Sequence, residues 1–319
     1  MIALVGTILL STVVSWNSTH GKELRRVGFL SPGPQTFQLP FFQGLKDLGY
    51  VEARNISILR AVGEGRDSDL PHLTQGLLDR RVEIIVATNS AAVRVASQKT
   101  AHIPIVMVTS VDPIGDGFIE SFRRPGKNIT GLSSADPGFE EKIIELLGEV
   151  ANPRRIALFW NPEHPVHPAL RRRVEQAAAA RGLAVETMEV GTLDALGSVI
   201  KRAPPSSVEA GILLPDHLTL RHREAFVTWA ARYRLPVIYW TSEFVDAGGL
   251  MSFGVRYGDL YYRAASYVDR LLRGGRPHEI PVEQPASYEL TINLRAARSI
   301  SIAIPASLIV RANKIIPLE

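Results

Sequence analysis

Short apolar runs alternate with longer amphipathic segments along almost the whole chain. Few folds are compatible with this alternation. The run Glu83–Ala87 ends in four successive apolar residues, which is typical of a parallel strand covered on both faces. The segment Phe41–Tyr50 instead repeats its apolar side chains at helical spacing. Because strands that alternate with helices build βαβ units and parallel sheets, the pattern predicts an α/β fold.

The alternating segments form two series of similar length, which divide near residues 133–137. About ten strands are indicated, and the helices between them include segments 115–122 and 220–233. The tail from Ile280 is punctuated by prolines and is predicted to form short strands and turns. Since 319 residues suffice for about two domains, two doubly wound lobes are the simplest packing.

The N-terminus differs from the rest of the chain. Residues 2–14 are almost all apolar or small, and the first charged side chain is that of Lys22. This run is shorter than the ~20 residues of a membrane-spanning helix but suits the apolar region of a secretory signal. No lysine or arginine precedes it and no A-x-A site follows it, so a buried first strand or a misplaced start codon stay open as alternatives. We therefore treat residues 1–22 as a signal-like segment outside the fold.

Composition excludes several classes of protein. The chain has no cysteine, which rules out disulfides, thiolate metal ligands, a cysteine nucleophile and a lipidated N-terminal cysteine. The net charge is only +4, and the largest basic cluster, Arg171–Arg173, lies on a predicted helix, where it is expected to be a solvated face. Few aromatic residues are interleaved with basic ones, so nucleic-acid binding is not predicted.

Motifs for catalysis and metal binding are missing from the sequence. Neither a G-x-S-x-G elbow nor a phosphate-binding G-x-x-x-x-G-K-[ST] loop occurs, and the pair Gly115 and Gly117 lacks the third glycine of a dinucleotide-binding turn. Pro162, Pro165 and Pro168 break the helix that would align His164 with His167, and no third ligand lies nearby. We therefore predict no enzyme activity, no metal and no cofactor.

Candidate ligand-binding positions come from the topology. In open α/β sheets a ligand sits outside the carboxyl ends of the strands. These ends carry small hydroxyls, amides, aromatic rings and isolated acids, a mixture that suits a small polar ligand with an apolar body. The candidate positions are Ser31, Gln35, Asn89, Ser90, Ser110, Asp112, Trp160, Asn161, Asp216, Tyr239, Glu243 and Phe253.

The best single candidate site is Thr88-Asn89-Ser90, because these residues join a buried strand to a helix. The free N–H groups of such a helix start attract a carboxylate or phosphate, although the same residues equally suit a plain helix cap. Asp112, Asp216 and Glu243 are each either a partner for a ligand ammonium or a cap or turn acid.

Several stretches occur in a specific order and spacing: Arg26–Ser31, Phe42–Val51, Ile103–Val106, Asp112–Pro113, Arg124–Leu132, Leu158–Pro162, Leu214–Asp216, Glu243–Ser252, Asn293–Ala297 and Ile304–Pro305. In this arrangement the chain resembles the tryptophan/tyrosine-type family of ABC-transporter substrate-binding proteins, which have the type I periplasmic binding protein fold. The resemblance covers residues 25–316.

The resemblance implies two lobes joined by a hinge of three crossovers. Lobe 1 would comprise residues 23–133 plus 249–276, and lobe 2 residues 134–248 plus 277–319. An amino acid or an aromatic or carboxylate compound would bind reversibly in the cleft by domain closure.

On that family pattern, Asn89 and Ser90 would hold the ligand carboxylate, and Asp216 or Glu243 would meet its ammonium. Trp160 and Tyr239 would flank the ligand side chain. Two departures bear on the ligand: Phe253 replaces a tyrosine common in relatives, and Thr88-Asn89 replaces a smaller pair.

The resemblance also implies a periplasmic, monomeric protein whose partners are a small-molecule ligand and an ABC permease with its ATPase. Two alternatives stay open: a sensor that signals its bound ligand to a receptor, and a hydrolase or isomerase on the same two-lobed fold. A sugar-sensing gene regulator is disfavoured, because the residues before the first strand are too few for a helix-turn-helix.

Overall fold

The computed structural model describes residues 24–33, 37–134, 138–285 and 288–318. The signal-like segment 1–22 and the candidate residue Gln35 lie outside these ranges. None of the helices in the described ranges has the length and hydropathy of a membrane-spanning segment. The described chain forms two lobes, each built on a mainly parallel sheet with helices on its faces, which is the predicted fold class.

Lobe 1 is built on five parallel strands, of which the third in the chain, β3, is buried along its whole length. Its helices cover both faces, so a continuous apolar run is what burial here requires. The strands are β1 (Arg25–Ser31), β2 (Ile56–Val62), β3 (Ile84–Ala87), β4 (Ile105–Ser110) and β5 (Ile129–Ser133), in the sheet order β2-β1-β3-β4-β5. The helices are α1 (Gln38–Asp47), α2 (Leu70–Asp79) and α3 (Ser90–Lys99).

Lobe 2 holds the second sheet, in which one neighbouring pair is antiparallel. Its strands are β6 (Arg155–Trp160), β7 (Ala184–Glu189), β8 (Ala210–Leu213), β9 (Val237–Tyr239), β10 (Met251–Val255), β11 (Tyr288–Asn293) and β12 (Lys314–Ile316), in the order β12-β11-β10-β9-β8-β6-β7. Its helices are α4 (Phe139–Ala151), α5 (His167–Ala179), α6 (Leu193–Ile200), α7 (His217–Arg221), α8 (Arg223–Arg232), α9 (Ser242–Asp246), α11 (Leu294–Ser299) and α12 (Ala306–Arg311).

One long helix returns from lobe 2 to lobe 1. This helix, α10 (Tyr257–Leu272), packs along α1 and against β4 and β5. The chain then runs beside β5, where the Val282 N–H donates to the Phe122 carbonyl at 2.7 Å and the Glu283 N–H to the Gly131 carbonyl at 3.0 Å. It re-enters lobe 2 at β11, so the backbone crosses between the lobes three times.

The returning segment differs from the one that the family pattern implies. Residues 249–276 were expected to belong to lobe 1, but β10 pairs with β9 and β11 in the second sheet and only α10 packs on lobe 1. Residues 280–283, expected in lobe 2, pair with lobe 1. The physical reason is that Leu132 and Glu283 form a β-bridge at the open edge of β5.

Two predicted helices also differ. The segment 115–122 forms turns, in which the Phe118 N–H bonds the Pro113 carbonyl and Gly117 has a φ of 70°. Glycine at left-handed φ values favours turns over a helix. The predicted helix 220–233 is divided into α7 and α8 at His222. The tail contains the short helices α11 and α12 besides its strands.

The cores of the lobes lie between sheet and helices. In lobe 2, Phe159 is fully buried and meets Phe226 and Trp229 edge to face, with ring centroids 4.9 and 5.6 Å apart. In lobe 1, Gly131 has a φ of 125°, and a Cβ at this position would lie 2.1 Å from the Met107 carbonyl oxygen. Glycine is therefore required for β5 to approach β4 this closely.

Candidate ligand-binding site

A cavity lies between the two lobes at the carboxyl ends of their central strands. It encloses about 590 Å³, including space open to solvent. We call it the interlobe cavity. Lobe 1 with α10 supplies one wall, lobe 2 the other, and Ser134 lies at a crossover. The lining residues are Phe37, Thr88, Asn89, Ser90, Thr109, Val111, Ser134, His164, Val166, Leu170, Pro215, Asp216, His217, Trp240, Tyr257 and Tyr261.

The N-terminus of α3 faces this cavity from lobe 1. Asn89 caps the helix: its side-chain oxygen accepts from the Ala92 N–H at 2.9 Å, and its carbonyl accepts from the Val93 N–H at 3.0 Å. The N–H groups of Ser90 and Ala91 have no acceptor among the described residues. Two free donors at the positive end of a ten-residue helix therefore point to an anionic group.

Asp216 faces the cavity from lobe 2, at the N-cap of α7. Its Oδ1 accepts from the N–H groups of Leu218 and Thr219 at 2.7 and 3.2 Å. Its Oδ2 accepts from the Asn161 side-chain nitrogen at 2.9 Å. The residue is only 6% exposed. The carboxylate is thus held in one orientation, and among the described residues that line the cavity none is a lysine or arginine that would neutralise it.

Histidines surround this carboxylate without balancing its charge. Burial lowers the pKa of His217, against an opposing effect of Asp216. Burial also lowers the pKa of His164 well below its ordinary value, and the neighbouring His167 and His217 add to that effect. Both lining histidines are therefore neutral at pH 7.

A second carboxylate, that of Asp67, faces Asp216 from lobe 1. Burial raises the pKa of Asp67 to about 6, and the charge of Asp216 adds to the rise. Asp67 is half-buried, on a short 3₁₀ turn after β2. The lobe 2 side of the cavity therefore favours a cation.

Aromatic rings form the apolar part of the wall. Phe37 stacks on Tyr257 at 5.3 Å between ring centroids, and Trp240 meets Tyr257 edge to face at 5.2 Å. The indole Nε1 of Trp240 is buried and has no hydrogen-bond partner among the described residues. These rings suit a flat apolar group beside the polar ends of the cavity.

Two further cavities adjoin this site. A rear cavity of about 720 Å³ is lined mainly by apolar residues of lobe 2 and adjoins the interlobe cavity. The two cavities share the lining residues Val111, Ser134, Leu170, Pro215, Trp240 and Tyr257. A hinge cavity of about 620 Å³ carries the charged residues Glu243, Arg256, Asp259 and Glu289. The interlobe cavity differs from these two in placing the free N–H groups of α3 opposite the Asp216 carboxylate.

Of the twelve candidate residues, the structure brings Asn89, Ser90 and Asp216 together at the interlobe cavity, with Asn161 directly behind Asp216. Ser110 is buried behind Ser90, with 3.3 Å between the two hydroxyl oxygens. Their roles toward a ligand stay predictions.

Three other polar candidates lie elsewhere. Ser31 is buried at the end of β1 and donates to the Gly33 carbonyl at 2.6 Å. Asp112 is exposed and accepts from the Gly115 N–H at 2.9 Å, which makes it a turn acid. Glu243 lines the hinge cavity and accepts a hydrogen bond from the Thr241 hydroxyl.

The aromatic candidates are used in packing. Trp160 lies in the lobe 2 core, with the Arg171 guanidinium 4.7 Å above its ring. Tyr239 is 2% exposed and stacks on Phe244 at 4.8 Å. Phe253 stacks on Phe139 and on Tyr288, each at 5.5 Å.

Sequence reasoning missed the aromatic pair Tyr257 and Tyr261, which both line the cavity. They are four residues apart on α10, and this spacing places both on one helical face. Reading only strand ends overlooked that signal. His164 follows a strand end by four residues within a proline-rich turn, and no sequence pattern indicated that it would face the cavity.

Within the described ranges, no group of three histidine, aspartate or glutamate side chains is arranged to hold a metal ion. The geometry found is that of a binding cleft, with hydrogen-bond donors on one lobe, a carboxylate on the other and aromatic rings between them.

Known proteins are similar to this chain in sequence or in structure. The tyrosine-binding protein of Clostridioides difficile is 24% identical over 284 residues, which cover 86% of this chain and 80% of that protein. A conserved domain protein from Vibrio cholerae has a TM-score of 0.84 at 22% identity, covering 92% of this chain and 100% of its own. An ABC domain from Streptococcus pneumonia, solved with L-Trp, has a TM-score of 0.82 at 21% identity, covering 92% and 99%.

The structural likenesses show the shared fold. The sequence also matches a family model, that of the ABC transporter substrate binding proteins, over residues 34–316. Members of this family bind solutes. Because the match spans most of the sequence, the chain belongs to the ABC transporter substrate-binding protein family.

Proposed function

We propose that the protein is the solute-binding component of an ABC importer and that it binds an amino acid between its lobes. One observation carries the proposal: the free N–H groups at the start of α3 and the carboxylate of Asp216 line the same cavity from opposite lobes. A zwitterion offers a carboxylate to the first and an ammonium to the second.

The size and chemistry of the wall indicate the rest of the ligand. The rings of Phe37, Trp240 and Tyr257 border the cavity, so an amino acid with an aromatic side chain fits best. Two similar proteins are described as tyrosine-binding and as bound to L-Trp, which supports this class.

The proposed mechanism is closure of the lobes without any bond made or broken. A ligand that touches both α3 and Asp216 stabilises the closed arrangement over an open one, because only the closed arrangement offers both contacts at once. The three crossovers between the sheets would serve as the hinge. Residues 1–22 would direct export, and a permease with its ATPase would take the ligand from the closed protein.

Thermal unfolding of the full chain against a panel of solutes tests this proposal. The panel contains L-tyrosine, L-tryptophan, 3-(4-hydroxyphenyl)propanoate, which lacks the ammonium, and a sugar. A ligand present at 100 times its Kd adds about 2.7 kcal/mol, which shifts Tm by about 4 °C for a chain of this length. A saturable shift with an aromatic amino acid, recovered unchanged, supports the proposal.

Two variants sharpen the test. Asp216→Asn should weaken binding of the amino acids by about ten-fold or more, since a charged hydrogen bond is lost, but leave binding of the propanoate unchanged. Asp112→Asn, in an exposed turn, is the matched control and should bind as the wild type does. The absence of a shift with every solute, or equal losses in both variants, would contradict the proposal.

A further inference from the structure

His167 is a buried histidine that the sequence analysis considered only as half of a metal pair. It begins α5 and is fully buried between the ends of β6 and β8. Its ring stacks on that of His164, with 4.2 Å between centroids. It does not line the interlobe cavity, but Nε2 is hydrogen-bonded to Pro215, which does, and Nδ1 to Asn161, which contacts Asp216.

The partners of this ring fix its protonation. The N–H of Asn161 lies 2.9 Å from Nδ1 and can only donate, so Nδ1 accepts and carries no proton. The carbonyl of Pro215 lies 2.9 Å from Nε2 and can only accept, so Nε2 carries the proton. His167 is thus a neutral imidazole with the proton on Nε2.

These two bonds join the strand ends that hold Asp216. Asn161 follows β6 and donates its side-chain nitrogen to Oδ2 of Asp216 at 2.9 Å. Pro215 directly precedes Asp216 after β8. The neutral ring is therefore hydrogen-bonded both to Pro215, the residue before Asp216, and to Asn161, which orients the Asp216 carboxylate.

We propose that His167 is a positioning residue for the Asp216 carboxylate, and that protonation of its ring weakens ligand binding at acidic pH. This inference rests on the proposed function, in which Asp216 meets the ligand ammonium. A proton on Nδ1 would point at the Asn161 N–H. The hydrogen bond between them would be lost, and two donors would repel each other. The ends of β6 and β8 would then separate, and Asp216 would lose its orientation.

The groups facing the ring set the pH at which this occurs. Burial lowers the pKa of His167, while the hydrogen bond to the Pro215 carbonyl and the charge of Asp216 act in the opposite direction. His164 stacks on it, and His217 lies beyond His164. Accepting the Asn161 N–H also favours the neutral ring, because only unprotonated Nδ1 accepts. Binding should therefore be unaffected near pH 7.5 and weaken below the ordinary histidine range.

Calorimetric titration with L-tyrosine and L-tryptophan between pH 5 and 7.5 tests the inference. Wild-type affinity should fall by about ten-fold over this range. His167→Asn keeps an acceptor for the Asn161 N–H and does not titrate, so its affinity should fall less than that of the wild type. Asp67, whose pKa of about 6 lies in this range, titrates in both proteins. His167→Phe loses both bonds and should bind about ten-fold more weakly at pH 7.5. His222→Asn is the control and should follow the wild type.

Coincident pH profiles for the wild type and His167→Asn would overturn the inference, as would wild-type affinity in His167→Phe. If neither amino acid binds the wild type, the proposed ligand class fails, and nitrogen NMR of the ligand-free protein decides the positioning role. It should show a proton on Nε2 alone, with the Leu218 and Thr219 amide signals displaced in His167→Phe but not in His222→Asn. A proton on Nδ1, or amide signals unmoved in both variants, would refute it.

Discussion

Asp67→Asn should stabilise the protein at neutral pH, although it removes a carboxylate that interacts with Asp216. Burial and the nearby Asp216 raise the pKa of Asp67 from 3.8 to about 6. A carboxyl with a raised pKa contributes stability that is present below its unfolded pKa and lost as the pH rises through its folded pKa. At pH 7.5 the ionised form therefore costs free energy of folding.

The size of this cost follows from the shift. Two pKa units correspond to about 3 kcal/mol, and partial exposure of the side chain reduces this to about 2 kcal/mol. Urea unfolding of the wild type and of Asp67→Asn at pH 4 and pH 7.5 measures it. The variant should gain about 2 kcal/mol at pH 7.5 and much less at pH 4.

The matched control is Glu64→Gln, three residues away, whose side chain is 80% exposed beside Arg66. It should change stability by less than about 0.5 kcal/mol at either pH. A raised pKa requires that Asp67→Asn increases the free energy of unfolding more at pH 7.5 than at pH 4. An equal increase at both pH values, or a decrease at pH 7.5, would therefore contradict the prediction.

Three further predictions concern stability. Gly131→Ala should cost about 3 kcal/mol or more in urea unfolding, because the new Cβ would overlap the Met107 carbonyl at a positive φ; an unchanged midpoint would contradict this. Phe159→Ala should cost about 3–5 kcal/mol by the same assay, and a cost below 1 kcal/mol would mean that the aromatic cluster collapses into the space. The buried histidines His164, His167 and His217 should also cost stability as the pH drops below about 6.5, because the unfolded chain binds protons there more readily than the buried rings do. The decline is measured in the Asp67→Asn background, which removes the opposing titration of Asp67, and replacing all three histidines with asparagine should flatten it.

Much of the fold could be predicted from the sequence because buried parallel strands and the helices that cover them differ in the spacing of their apolar residues. The strands have continuous apolar runs, whereas the helices repeat apolar residues at helical spacing. The division near residues 133–137 and the buried strand β3 follow from this difference. The pairing of β10 could not be predicted in this way. Its apolar residues show that it is buried, but its antiparallel pairing with β11 depends on where a distant segment returns.

The candidate site shows the same limit. Strand ends identify a sheet edge, and two residues chosen on that basis, Asn89 and Asp216, line the interlobe cavity. Successive side chains of a strand point to opposite faces, however, and the sequence does not say which face meets the cleft. Tyr239 and Trp240 are adjacent, yet the first stacks in the core and the second borders the interlobe cavity.

On the proposed function, an amino acid lies between the lobes with its carboxylate at α3 and its ammonium at Asp216. The most direct measurement is a crystal structure of the protein with L-tyrosine or L-tryptophan. We expect the ligand carboxylate oxygens within hydrogen-bond distance of the Ser90 and Ala91 N–H groups. The ligand ammonium should lie within hydrogen-bond distance of the Asp216 carboxylate. A ligand with the reverse polarity, or one held only in the rear or hinge cavity, would contradict it.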